Sequence, residues 1–159
     1  MTSRSTAVLV IVAVLAGAVV AGVGLATRGS GKPARVLQID EQTGRVGKVV
    51  LGETRAGVLD VLGRPTKATA GLLLYRRLTV RLREGLVVSI STDDPAARSD
   101  KVVVIGDPLS AVRASYRGAA HCNPNAPDKN AAHPRCRVRV PAGTLSVEGD
   151  PIRLMTLGR

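Results

Sequence analysis

Residues 51–65 read LGETRAGVLDVLGRP, and residues 105–118 read IGDPLSAVRASYRG. Laid over one another without gaps, Leu51-Gly52-Glu53-Thr54 falls on Ile105-Gly106-Asp107-Pro108, Val58 on Val112, and Leu62 on Tyr116. Upstream, GKVVLGE meets KVVVIGD at the same offset of 54 residues. One constant offset predicts a duplicated structural unit rather than a chance motif. Each copy reads as a strand end, a Gly turn and a short helix. Thr54 is placed to cap the first helix through its hydroxyl oxygen. In the second copy Asp107 takes the cap and Pro108 the first helical position, where a missing N–H costs nothing. Val58, Leu59, Val61 and Leu62 give the first helix an apolar stripe, and Gly63 with Pro65 stops it. Helices this short need a sheet to pack on.

The sheet follows in the sequence. Leu78, Val80 and Leu82 alternate with Arg77, Thr79, Arg81 and Arg83, the period of two expected of a half-buried strand. In the next run Leu86, Val88 and Ile90 share one face. A two-residue EG turn would set Arg83 opposite Leu86 and mix the faces, so the pattern predicts a three-residue REG loop with Gly85 in the left-handed region. That loop sets Leu82 opposite Leu86 and Val80 opposite Val88. In the second copy Leu145 and Val147 are expected to face Leu154 and Ile152 across EGDP, with Arg153 and Met155 outside. Val138 and Val140, alternating with Arg137 and Arg139, supply another strand. The predicted fold is therefore α+β: two tandem small helix-plus-antiparallel-sheet repeats, residues 36–100 and 101–159, after an N-terminal transmembrane helix.

That helix is expected over residues 7–26, AVLVIVAVLAGAVVAGVGLA, between a short tail at 1–6 and a linker at 27–35. Twenty apolar residues rising about 1.5 Å each span about 30 Å, the thickness of a bilayer's hydrocarbon core. A cleaved signal peptide, giving a secreted form, is the alternative, with small residues at Gly24 and Ala26; the apolar run is longer than a signal core of about 7 to 15 residues. No Cys lies in or directly after the run, which excludes lipid attachment there. Arg28, Lys32 and Arg35 beyond the run would by the positive-inside rule hold the following domain in the cytoplasm. The cysteine pair described below points instead to an extracytoplasmic domain on a single-pass cell-membrane protein.

The chain's 159 residues carry a net charge of +11, with two Tyr and neither Phe nor Trp. Branched aliphatics must fill the core, which suits strands. The lack of aromatics removes the stacking platforms of nucleic-acid binding, so nucleic acid is not an expected partner. A basic surface favours an anionic partner: an envelope protein, an anionic envelope polymer, or the membrane that residues 7–26 enter.

The pattern Leu51-Gly52-x-Thr54-x-x-x-Val58-x-x-x-Leu62-Gly63-x-Pro65, then Tyr75 and a hairpin ending GLVVSI, resembles the small outer-membrane lipoprotein (SmpA/OmlA) repeat and the β-lactamase-inhibitory-protein-like (BLIP-like) repeat. The likeness covers about residues 47 to 157; the second copy replaces Gly63-x-Pro65 with Arg117-Gly118-Ala119. The resemblance implies an exported, non-catalytic scaffold of the cell envelope that binds proteins through a curved sheet face. On the matching strands that interaction face would be Tyr75, Arg77, Arg81, Ser89, Arg153 and Met155. The aromatic-rich face of the inhibitory member is missing, which argues against inhibition of a β-lactamase.

Cys122 and Cys136 bracket NPNAPDKNAAHPR, a polar insertion that reads as neither helix nor strand. A disulfide is expected in an exported protein; closing a loop of about fifteen residues contributes about 3 kcal/mol in the chain-entropy model. The alternative is a metal-binding envelope protein, with His121, Cys122, His133 and Cys136 as a zinc set, although adjacent His121 and Cys122 are awkward joint ligands. No catalytic residues and no cofactor are expected. There is no P-loop or dinucleotide fingerprint, both histidines lie in the insertion, and Asp93 and Asp94 read as a solvated turn beside Pro95. The expected function is that of a membrane-tethered extracytoplasmic protein-binding or adaptor module, not an enzyme.

Overall fold

A computed structural model describes residues 36–123 and 134–159. In chain order these form β1 (Leu37–Asp40), β2 (Arg45–Val46), β3 (Val49–Val50), α1 (Arg55–Leu62), β4 (Lys67–Thr69), β5 (Leu72–Leu74), β6 (Leu78–Arg83), β7 (Leu86–Thr92), β8 (Ala97–Ser99), α2 (Leu109–Ser115), β9 (Ala120–Asn123), β10 (Arg135–Val140), β11 (Gly143–Glu148) and β12 (Leu154–Gly158). The expected α+β class is overturned. The structure is mostly β-sheet, 46% strand against 13% helix. Nor does each half keep a sheet of its own. β4–β7 and β12–β9 run together as one eight-stranded antiparallel sheet in the order β4-β5-β6-β7-β12-β11-β10-β9, and a small sheet β3-β2-β1-β8 lies apart from it. The expected membrane helix at 7–26 lies outside the described residues, among which no helix is long and apolar enough to cross a membrane.

The physical reason is visible at the centre of the large sheet. β7 and β12 pair antiparallel, Ile90 opposite Leu157 and Ser91 opposite Thr156. Apart, each half would leave one of these strands as a bare edge with unpaired backbone groups; joining them removes both edges. One buried row then crosses the sheet from Leu73 through Val80, Ile90, Leu157 and Leu145 to Val138. All six are 0% exposed. The row is aliphatic throughout, as the composition demands. On this side the sheet shares a single core with Ile39, Val46 and Val49 of the small sheet and with Val58, Leu109 and Val112 of the helices. All described residues fall in one compact unit.

The 54-residue offset reappears as hydrogen bonds. Gly52 donates its N–H to the Val87 carbonyl (2.8 Å) and the Val87 N–H donates to Glu53 (2.9 Å); Gly106 and Ile152 do the same with Ile152 and Asp107 (2.9 and 2.8 Å). The Val50 N–H donates to the Glu53 carboxylate at 3.1 Å, and the Val104 N–H to the Asp107 carboxylate at 3.0 Å. Each turn is thereby tied to the last hairpin of its own half. At α1, Thr54 Oγ1 accepts the Gly57 N–H (3.2 Å), and Gly63 ends the helix at φ 74°. α2 differs from expectation: Pro108 is the cap residue and has no side chain to offer. Asp107 is occupied by Val104, and the carboxylate that reaches the helix start is Asp150, accepting the Leu109 N–H at 3.2 Å.

Two hairpin registers also differ from expectation. The β6–β7 turn is the rejected two-residue EG, with Glu84 and Gly85 both at positive φ (54° and 79°) and Arg83 opposite Leu86. The faces are not mixed, because a register shift between Arg81 and Leu82 absorbs one residue: Leu82 sits opposite Val87, yet Arg81 sits opposite Ser89. Such a bulge flips the strand beyond it. Val87 and Ile90 are thus buried, and Leu86 is left 45% exposed. In β11–β12, Val147 pairs with Met155 and Leu145 with Leu157. The register lies three residues on from the expected one, an odd shift that turns Met155 inward, and it is 0% exposed rather than part of an outer face.

Candidate interaction surface

The side chains that alternate with the buried row form the other face of the large sheet. In register, one row runs from Lys67 on β4 through Leu74, Thr79, Ser91, Thr156, Ser146 and Arg137 to His121 on β9. The next row carries Arg81, Ser89, Gly158, Thr144 and Arg139. No element among the described residues covers this face; the helices and the small sheet belong to the core on the opposite side. Its middle is lined by hydroxyls, and Thr156 Oγ1 donates to Ser91 Oγ at 2.9 Å. Its flanks are cationic: Arg81 and Arg83 on β6, and Arg135, Arg137 and Arg139 on β10. Glu148, opposite Arg135, is the one carboxylate on these strands.

Of the six residues expected on an interaction face, Arg81 and Ser89 stand there as cross-strand partners. Met155 is in the core. Tyr75 is half-buried against the core, and its hydroxyl donates to the Gly63 carbonyl at 3.2 Å. Burial raises its pKa above the usual tyrosine value, against the opposing field of Arg55. Arg77 precedes β6 and is held by Asp93, 3.2 Å to its carbonyl and 4.0 Å to its carboxylate. Arg153 is exposed in the β11–β12 turn, its N–H donating to the Glu148 carbonyl. Thr79, Ser91, Ser146, Thr156, Arg137 and Lys67 were not anticipated. The Arg-Val alternation of 137–140 carried the signal for Arg137 and Arg139; the hydroxyl middle needed the strand order.

Cys122 and Cys136 form a disulfide across β9 and β10, where they are direct cross-strand partners with Cα atoms 3.9 Å apart. The bond therefore ties two neighbouring strands of the large sheet directly together. It removes both thiolates from the alternative zinc set. His133 lies outside the described residues, among which no group of three or more potential metal ligands occurs.

A second polar feature lies at the edge of the core. The Tyr116 hydroxyl donates to Glu41 Oε1, and Ser99 Oγ stands 2.9 Å from the same phenolic oxygen. Glu41 is 4% exposed and Tyr116 6%. The Glu41 N–H donates to Asp100 Oδ2 (2.7 Å), and the Gln38 amide donates to Asp100 Oδ1 (3.0 Å). Burial raises the Glu41 pKa, the Tyr116 hydroxyl works against that, and the Asp100 charge adds to it. Burial likewise raises the Tyr116 pKa well above the usual phenol value, aided by its bond to Glu41.

No protein-family model, curated protein or solved structure matches the chain.

Proposed function

We propose that this chain is a non-catalytic binding module of the cell envelope that presents the open face of its eight-stranded sheet to an acidic protein partner. The observation that carries the reading is the uncovered face itself: a hydroxyl-lined middle flanked by Arg81 and Arg83 on one side and Arg137 and Arg139 on the other. A sheet with one face buried and one uncovered and charged is ready for a partner of opposite charge, whose approach it steers and whose register it sets. The likeness to SmpA/OmlA and BLIP-like repeats supports the same use of a sheet face. The disulfide agrees with an oxidising compartment, and the apolar run at 7–26 with a single-pass tether.

The test is capture of a partner from the native envelope, followed by binding of the purified pair. Affinity should fall steeply as salt rises, and Arg81→Glu with Arg137→Glu should abolish it while leaving the fold intact. Unchanged binding in that double variant excludes this face. For topology, a cysteine introduced at exposed Ser110 should react with a membrane-impermeant thiol reagent on intact cells; labelling only after lysis would rule out an extracytoplasmic domain.

A further inference from the structure

We infer that the groove between the β1–β2 turn, the end of α2 and the open end of β10 is a binding site for an oxyanion that keeps a proton, namely hydrogen phosphate. Three cations from three separate segments line it: Lys101 from the β8–α2 connection, Arg117 just past α2, and Arg139 on β10. None of the three side chains has a hydrogen-bond or salt-bridge partner among the described residues. The groove exists because β9 stops short. Its last pairing sets Ala120 opposite Val138, so Arg139 and Val140 run on beyond it. There the β1–β2 turn folds over, held by the Ala142 N–H donating to the Glu41 carbonyl at 3.1 Å.

Cations alone would accept any anion. Selectivity comes from Glu41 and Tyr116, which also line the groove. The Glu41 carboxylate takes the Tyr116 hydroxyl, which leaves acceptor capacity on a group with about four lone-pair sites. In its ionised form the Glu41 carboxylate repels a fully deprotonated anion but accepts a hydrogen bond from one that carries O–H. Inorganic phosphate keeps a proton at neutral pH and sulfate of the same shape does not.

The duplication supplies independent support. The position equivalent to Tyr116 is Leu62, an aliphatic side chain packed against the same core. A leucine at 116 would pack with no polar group to satisfy, whereas Tyr116 brings a hydroxyl that Glu41 and Ser99 receive beside the groove. Arg139 also borders the open sheet face, but Lys101 and Arg117 do not, and the Arg117 variant tests the groove apart from the acidic-partner reading.

The test uses the full chain in a phosphate-free nonionic detergent, titrated at constant ionic strength with sodium phosphate or sodium sulfate and followed by amide chemical shifts. Phosphate should shift the amides of Gln42, Gly118 and Ala119 saturably, with sulfate about 10- to 100-fold weaker, the range of one charge-assisted hydrogen bond. Glu41→Gln, which keeps an oxygen for Tyr116, should remove the discrimination. Arg117→Ala at the exposed rim should weaken both anions. Equal affinity for the two anions, discrimination that survives in Glu41→Gln, or unsaturable shifts spread over the Arg81 and Arg137 face would each overturn the assignment.

Discussion

Glu41 shows how one side chain couples to the whole fold. Burial holds its carboxyl above the ordinary value of 4.5. Between that value and its raised folded one, the native state keeps a proton that the unfolded chain has released. Its contribution is therefore fully present below pH 4.5 and is lost as pH rises through the window above it. Asp40, one residue away, has the opposite sign. The side chain and N–H of Thr43 lower its pKa below 3.8, so what it contributes is lost as pH falls through the range below that value. Urea midpoints measured against pH should show a falling slope above pH 4.5 that Glu41→Gln flattens. Asp40→Asn should change only the acid side. A Glu41→Gln profile parallel to that of the parent would mean that Glu41 is not desolvated in the folded chain.

At the scale of elements, backbone geometry decides the registers. Gly85 sits at φ 79° in the two-residue turn, with nothing within 4 Å of where a Cβ would stand. Gly85→Ala therefore costs only the left-handed conformation, about 1 to 2 kcal/mol. Gly143 is a different case. At φ 150° its Cβ would stand 2.2 Å from the Gly158 carbonyl oxygen, so Gly143→Ala must separate β11 from β12. Chemical denaturation should place its loss clearly above that of Gly85→Ala; equal losses would contradict the pairing at Thr144 and Gly158. The bulge at Arg81/Leu82 explains why the hairpin departs from the expected three-residue loop. Strict alternation through LVVSI puts Leu86, Val88 and Ile90 together, whereas the burial follows Val87, Ile90 and Thr92. A bulge leaves no composition signal, because Val87 and Val88 are equally apolar and either can be the buried one.

At the scale of the molecule, the join between β7 and β12 makes the two halves one cooperative body. The small sheet reinforces it: β1 pairs in parallel with β8, and Asp100 ties the β8 end to Gln38 and Glu41. Unfolding followed at Tyr75 and at Tyr116, one reporter in each half, should give coincident midpoints in each single-tyrosine variant. Two separated transitions would show that the halves fold independently. Charge acts at this scale too, because the cations of β6 and β10 become opposite flanks of one face only when three strands, β7, β12 and β11, have been set in order between them.

Much of the local structure was legible in the sequence because its causes are local. The Gly turns at a 54-residue offset, the Thr54 cap, the Gly63 stop and the alternation of Arg with Val on β10 depend on neighbours a few residues away. The cysteine pair was legible for a similar reason, since the chain's two thiols bracket one polar insertion and have no other cysteine to pair with. The tertiary structure alone decided that two hairpin systems share one sheet and that Met155 points inward. It alone brought Asp150 to cap α2 and set Glu41 against Tyr116, 75 residues away. Those outcomes rest on strand edges seeking partners and on packing across the core, energies that exist only once distant segments meet.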